Sequence, residues 1–240
     1  MKNIGLIGCG NIAETYFRAQ EYFNNINFVA CADINLDAAK KTADQYNIIP
    51  LSVDEILNDK NVDIILNLTI PQAHYEISKR ALEANKHVYC EKPMSVKFDD
   101  AKELLNLAKK NSLYIGNAPD TFLGGGGQLT RNLIDNNDIG QVLTGNFIFA
   151  FPGVQDFHPS PESWFQEGGG PVIDMGPYFF TTLVNLLGPV KNIRGRGAKF
   201  FDKREYKAGP KKGETFNVEI PTSYMFNICL LYTSDAADEP

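Results

Sequence analysis

The chain has 240 residues, 43% of them hydrophobic and 22% charged, with a net charge of −6, the composition of an ordinary globular protein. An acidic balance argues against general binding to nucleic acid or to an anionic membrane surface, and no apolar run reaches the ~18 residues of a membrane span. The four cysteines, Cys9, Cys31, Cys90 and Cys229, lack metal-ligand spacing; they are expected as free thiols in a reducing compartment, so the protein is expected in the cytoplasm. The three histidines are too scattered to suggest a metal site.

The first half alternates strand-like and helix-like segments. An apolar run ending at Ile7 enters G-L-I-G-C-G-N-I-A (Gly5 to Ala13), the setting in which a glycine fingerprint cradles a dinucleotide. Gly8 suits the tight turn, Gly10 the close approach of backbone to pyrophosphate, and Ala13 the packing of helix on strand. A helix over 12–23 is expected to offer its unpaired N–H groups to the phosphates. Strands follow at 27–33, 48–51, 63–69, 87–90 and 113–117, with helices at 36–46, 53–58, 75–84 and 99–111. That alternation predicts a doubly wound parallel sheet covered on both faces, with ligands at the carboxyl ends of the strands. This α/β Rossmann domain is expected over 1–120.

Beyond it the rhythm changes. A four-glycine run, Gly124–Gly127, leads into a helix over 128–135; 145–151 reads as a strand, 151–170 as a long aromatic loop, and 172–187 as one apolar helix. Strands are expected over 190–201 and 215–226. These residues, 121–228, read as a second domain.

Four places carry chemistry. Asp33 ends the second strand about 20 residues after the glycine turn, where a carboxylate accepts hydrogen bonds from ribose hydroxyls and repels a 2′-phosphate; NAD is favoured over NADP, and a helix cap or turn is the structural alternative. N-L-T-I-P-Q-A-H (Asn67 to His74) leaves a strand on the ligand side: Thr69 and Pro71 shape the loop, and His74 reads either as a cofactor neighbour or as a buried structural group. Glu91-Lys92-Pro93 follows H-V-Y-C. Pro93 stiffens the turn and admits a cis bond, and Lys92, at a central strand end, can exchange a proton with a substrate hydroxyl, the alternative being a solvated surface lysine. Finally, G-G-G-P-V-I-D-M-G-P-Y puts Asp174 and Tyr178 four residues apart, on one face if a single helix holds both; otherwise Asp174 is a cap and Tyr178 a core aromatic.

These motifs, in this order, resemble those of the Gfo/Idh/MocA family of nicotinamide-dependent oxidoreductases. The resemblance rests on G-L-I-G-C-G-N-I-A, A-D, T-I-P-Q-A-H, A-N-K-H-V-Y-C-E-K-P and G-G-G-P-V-I-D-M-G. It implies a C-terminal α/β substrate and oligomerisation domain with an open, mainly antiparallel sheet, here shortened over 121–228. It also implies an oxidoreductase acting on a secondary alcohol of a sugar or polyol, with Lys92 and Asp174 catalytic and Tyr178 the candidate acid/base beside them. The expected NAD-binding set is Gly8, Gly10, Asn11, Ile12, Asp33, Thr69, Pro71, His74, Glu91 and Lys92. Asp120, Thr121, His158 and Trp164 are candidate substrate contacts, and a homo-oligomer is expected for the full-length form. Most members carry histidine where this chain has Tyr178; the D-M-G-P-Y form resembles a subgroup of sugar-type oxidoreductases. An NAD-dependent glycoside hydrolase of the same superfamily and a non-catalytic dinucleotide-binding regulator are the alternatives. The closing C-L-L-Y-T-S-D-A-A-D-E (Cys229 to Glu239) resembles a translated sequencing adapter, and 229–240 is expected to be a non-native tail on a shortened chain.

Overall fold

The computed structural model describes residues 1–158 and 160–231, in two compact units that meet between Ala118 and Pro119. The first unit runs β1 (Lys2–Ile7), α1 (Ala13–Ala19), β2 (Ile26–Ala32), α2 (Leu36–Tyr46), β3 (Ile49–Leu51), α3 (Val53–Asn58), β4 (Ile64–Asn67), α4 (Pro71–Glu83), β5 (His87–Cys90), α5 (Phe98–Lys110) and β6 (Ile115–Asn117). Its six strands are all parallel, in the order β3-β2-β1-β4-β5-β6.

Side chains alternate across the sheet, so each strand feeds two cores. Ile4, Leu6, Cys31 and Leu66 pack with Ala13 and Phe17 of α1 and Ala43 of α2. Ile7, Ala30, Ala32, Ile65 and Val88 pack on the other face with Ile56 of α3, Leu82 of α4 and Leu104 of α5. Each large aliphatic side chain so buried contributes about 1.5–3 kcal/mol. Local chemistry sets the helix starts. Asn35 caps α2 by accepting from Asp37 and Ala38 N–H, Ser52 and Glu55 form a reciprocal capping box on α3, and Pro71 occupies the first turn of α4. Pro50, which cannot donate to a ladder, lies in the edge strand β3.

The second unit contains α6 (Gly125–Asp135), α7 (Gly170–Asp174), α8 (Gly176–Leu187), β7 (Val190–Ala198), β8 (Lys203–Glu205), β9 (Thr215–Asn217) and β10 (Ser223–Leu230), with single 3₁₀ turns at Thr121–Leu123, Val154–Asp156 and Glu162–Phe165. β7 and β10 pair antiparallel, as do β8 and β9. A small core of Phe165, Tyr206, Phe216 and Val218 joins the β8–β9 hairpin to the loop before α7.

The structure corrects several sequence expectations. The first helix ends at Ala19, short of Phe23: the N–H groups of Gln20, Glu21 and Tyr22 bond three residues back, to the Phe17, Arg18 and Ala19 carbonyls, and Gln20 Oε1 accepts the Phe28 N–H. The helix expected over 172–187 is two helices meeting at Met175, since Pro177 has no N–H for the carbonyl of Ile173. The strand expected over 145–151 is absent: no described strand pairs with it. Its aromatic residues pack all the same, with Phe147 and Phe149 both on Phe179 (ring centroids 5.0 and 5.4 Å) and Phe149 on Phe151 (5.1 Å). The strand expected over 215–226 divides into β9 and β10, because β9 turns back on β8, a partner that sequence periodicity did not suggest. Of the expected tail, Cys229 and Leu230 belong to β10, and 232–240 lie outside the described residues. Among the described residues no helix is long and apolar enough to cross a membrane.

Candidate functional site

Parallel strands end on one edge, and here that edge carries, in order across β2-β1-β4-β5, Asp33, Gly8, Thr69 and Lys92. Neighbouring strands lie about 4.8 Å apart, so the glycine turn and Lys92 stand on the order of 10 Å from one another. The strand order reverses between β1 and β4, the place where an open α/β sheet opens a crevice for its ligand.

Gly8 is buried at φ +104°, and a Cβ there would fall 2.6 Å from the Leu68 carbonyl carbon and 2.7 Å from the Thr69 nitrogen. The turn therefore hugs the end of β4. Gly10 faces the opposite condition: it is exposed, with nothing within 4 Å of a built Cβ, and Asn11 and Ile12 beside it are exposed too. The loop is thus packed from below and open above, which suits a pyrophosphate. α1 is only 7 residues long and has no side-chain cap. Asp33 Oδ2 accepts the Cys9 N–H at 2.7 Å and Oδ1 the Asn35 N–H at 2.8 Å. Asp33 therefore ties the glycine turn to β2, and it is Asn35 that caps α2. Each carboxylate oxygen can accept more than one hydrogen bond, so this role is compatible with ribose hydroxyls. Burial pushes the Cys90 thiol up to about 12.

The turn after β5 is held from several sides. Glu91 Oε1 accepts from Tyr16 Oη at 2.9 Å and Oε2 from the Lys92 N–H at 2.8 Å, so this carboxylate, expected in the cofactor set, braces its own turn. The Lys92–Pro93 peptide is cis. His74, also expected beside the cofactor, is instead buried, 1% exposed: Nδ1 lies 2.6 Å from the Pro93 carbonyl oxygen and Nε2 2.9 Å from that of Thr69. It clasps the loops after β4 and β5 and takes the structural role. Asn67, fully buried at the end of β4, donates to the His74 carbonyl and Ser78 Oγ, both at 3.0 Å, and accepts from Thr69 Oγ1 at 2.7 Å. Asn117 donates to the Cys90 and Glu91 carbonyls at 2.9 and 3.0 Å. Neither asparagine was singled out in the sequence. Their signal was a polar residue closing an otherwise apolar strand, I-I-L-N and Y-I-G-N. A neutral imidazole donates to one of these carbonyls, so replacing His74 by leucine removes that hydrogen bond and leaves a buried carbonyl unpaired; the expected loss is on the order of 1–3 kcal/mol, measurable by urea unfolding.

In the second unit Asp174 ends α7 and accepts the indole N–H of Trp164 on Oδ2 at 3.0 Å. Tyr178 lies in α8, beyond the break at Met175, so the shared helical face expected for the pair does not exist as one helix. Trp164, expected as a substrate contact, gives its indole N–H to Asp174. Asp120 and Thr121 are exposed at the first 3₁₀ turn, and His158 is exposed with Nδ1 accepting the Ser160 N–H at 3.1 Å. Lys92 belongs to the first unit and Asp174 to the second.

A six-stranded doubly wound sheet with a glycine turn, an aspartate after β2 and a lysine turn on one edge defines a dinucleotide-binding fold. Residues 2–117 match the profile of the Gfo/Idh/MocA oxidoreductase family, NAD-binding Rossmann fold, and residues 128–236 match the Gfo/Idh/MocA C-terminal domain. The chain belongs to this oxidoreductase family. It is 32% identical over 152 residues to an uncharacterized oxidoreductase of Schizosaccharomyces pombe, covering 62% of this chain and 40% of that protein. It is 31% identical over 146 residues to inositol 2-dehydrogenase of Salmonella typhimurium, covering 58% of this chain and 43% of that one. Among solved structures, a levoglucosan dehydrogenase in complex with NADH and L-sorbose superposes with a TM-score of 0.82 at 20% identity, over 96% of this chain and 64% of that chain. The chain thus spans about two fifths of the length of these curated relatives.

Proposed function

We propose that the protein is an NAD-dependent dehydrogenase that oxidises a secondary alcohol of a sugar, polyol or cyclitol. The observation that carries this reading is the Glu91-Lys92-Pro93 turn, clasped by Tyr16 and His74 at the ligand edge of the family's NAD-binding domain. The 31% identity to an inositol 2-dehydrogenase supports the substrate class. NAD, when bound, supplies the acceptor for the hydride released from the alcohol carbon. The chain does the rest: the loop at Gly8, Gly10, Asn11 and Ile12 receives the pyrophosphate, Asp33 the ribose, and Thr69 and Pro71 line the loop after β4. Lys92 takes the hydroxyl proton, and Asp174 and Tyr178 are the proposed catalytic residues of the second unit. Asp120, Thr121 and His158 remain the proposed substrate contacts, and a homo-oligomer the proposed assembly.

The test is a panel of sugars, polyols and cyclitols, followed at the NADH absorbance band with NAD and NADP in parallel. Alcohol-dependent NADH formation supports the reading; glycoside cleavage without NADH accumulation would replace it with the hydrolase alternative. Cofactor choice gives a sharper result. Replacing Asp33 by asparagine keeps an oxygen for the Cys9 N–H but removes the charge that repels a 2′-phosphate. The NADP-to-NAD ratio of kcat/KM should rise at least about tenfold, on the order of 1.4 kcal/mol. An unchanged ratio would remove Asp33 from cofactor selection.

A further inference from the structure

We propose that Trp164 is the positioning residue of Asp174, its indole N–H fixing the carboxylate in the orientation used for proton handling. The inference rests on the proposed dehydrogenase role of Asp174. An indole N–H is a donor only and cannot exchange roles, and a bond from it to a carboxylate is charge-assisted and directional. The 3.0 Å contact to Oδ2 therefore holds that carboxylate oxygen at the edge of the ring.

The surroundings of Trp164 make it a rigid donor. It lies in the 3₁₀ turn Glu162–Phe165, edge-on to Phe151 (5.9 Å, 85°) and Phe165 (4.8 Å, 69°). Phe165 is 1% exposed and its carbonyl accepts the Glu219 N–H at 2.9 Å. Glu162 is pinned by Tyr206 Oη and by Lys211 at 2.9 Å, which hold its carboxyl down to about 2. The acid is brought to the indole by the glycine run. A Cβ on Gly169 would sit 2.5 Å from the Ser163 carbonyl oxygen and 2.7 Å from that of Trp164. Only glycine lets the chain pass so close to the turn before α7 carries Asp174 back toward the ring. Three sequence features that otherwise look separate, the lone tryptophan, the G-G-G run and the aspartate, form one device.

Because the chain contains a single tryptophan, growth of a tryptophan auxotroph on benzothienylalanine replaces Trp164 alone. The ring shape is kept and the N–H becomes sulfur. In the full chain, kcat for the alcohol is expected to fall about 10- to 100-fold, while KM for alcohol and for NAD shifts by less than about threefold. Trp164→Phe should show the same split. Emission gives the pair a readout independent of turnover: Asp174→Ala should shift the Trp164 maximum, and an unchanged spectrum overturns the contact. An active wild type whose isostere turns over equally fast, or loses only KM, overturns the positioning role. A wild type that reduces NAD with no alcohol of the panel overturns the dehydrogenase reading, and this inference with it.

Discussion

Replacing Lys92 by methionine should lower kcat on a secondary alcohol by about 10²- to 10⁴-fold, the usual contribution of a positioned general acid or base, and leave NADH binding within about threefold. Methionine keeps the length and apolar stem of lysine and removes the ammonium, so the turn has no packing reason to move. That turn is held by bonds that do not involve the Lys92 head group: Glu91 N–H to the Asn67 carbonyl at 2.9 Å, Lys92 N–H to Glu91 Oε2 at 2.8 Å, and His74 against the Pro93 carbonyl at 2.6 Å. A loss confined to kcat therefore reports proton transfer. A parallel rise in the NADH dissociation constant would instead mean that Lys92 is a cofactor anchor. Unchanged kcat/KM would return it to the surface lysine that its sequence context also allows. Stopped-flow binding of NADH and steady-state turnover separate the three results.

What the sequence revealed, and what it hid, follows from the range of the forces involved. α2, α3 and β5 have the expected bounds, because the two helices begin at local caps, Asn35 and the Ser52–Glu55 box. Pro71 is as clear a helix start, yet a proline among polar residues after a strand also suits a loop, which is why sequence alone places the helix from Tyr75. The edge carrying Asp33, Gly8, Thr69 and Lys92 also followed from order alone, since parallel topology sends every such end to one side. The roles of His74, Glu91 and Trp164 did not follow. Each is decided by a partner 10 to 75 residues away in sequence, Asp174 for Trp164 and Tyr16 for Glu91, and no periodicity encodes which polar atom an acid or imidazole meets. Residues 145–151 show the same limit in a strand. Their apolar, aromatic run suits a strand, but a strand needs a ladder, and composition is silent on whether one is there.

The glycine fingerprint separates folding from binding within three residues, and paired substitutions should show it. Gly8→Ala should cost about 3 kcal/mol or more and lower the melting temperature by roughly 6–12 °C for a chain of this size. Two causes add. Residue 8 sits at φ +104°, which an L side chain rarely adopts, and the new methyl would meet backbone, the Leu68 carbonyl at 2.6 Å, not the yielding end of a side chain. Relief would require the end of β4 to move. Leu68 N–H is bound to the Ile7 carbonyl at 2.8 Å and the Thr69 carbonyl to His74 at 2.9 Å, so the strain passes to the Lys92 turn and turnover should fall with stability. Gly10→Ala is the contrasting case. Its Cβ meets nothing within 4 Å, so stability should hold within about 1 kcal/mol, the ordinary scale of a glycine-to-alanine change. The space it fills, however, is that proposed for the pyrophosphate. NADH affinity should therefore drop about tenfold or more, at least about 1.4 kcal/mol, in a protein that melts normally. Equal NADH binding by Gly10→Ala and the parent would place the phosphates elsewhere, and an unstrained melt for Gly8→Ala would mean that the β4 end gives way more easily than its hydrogen bonds imply.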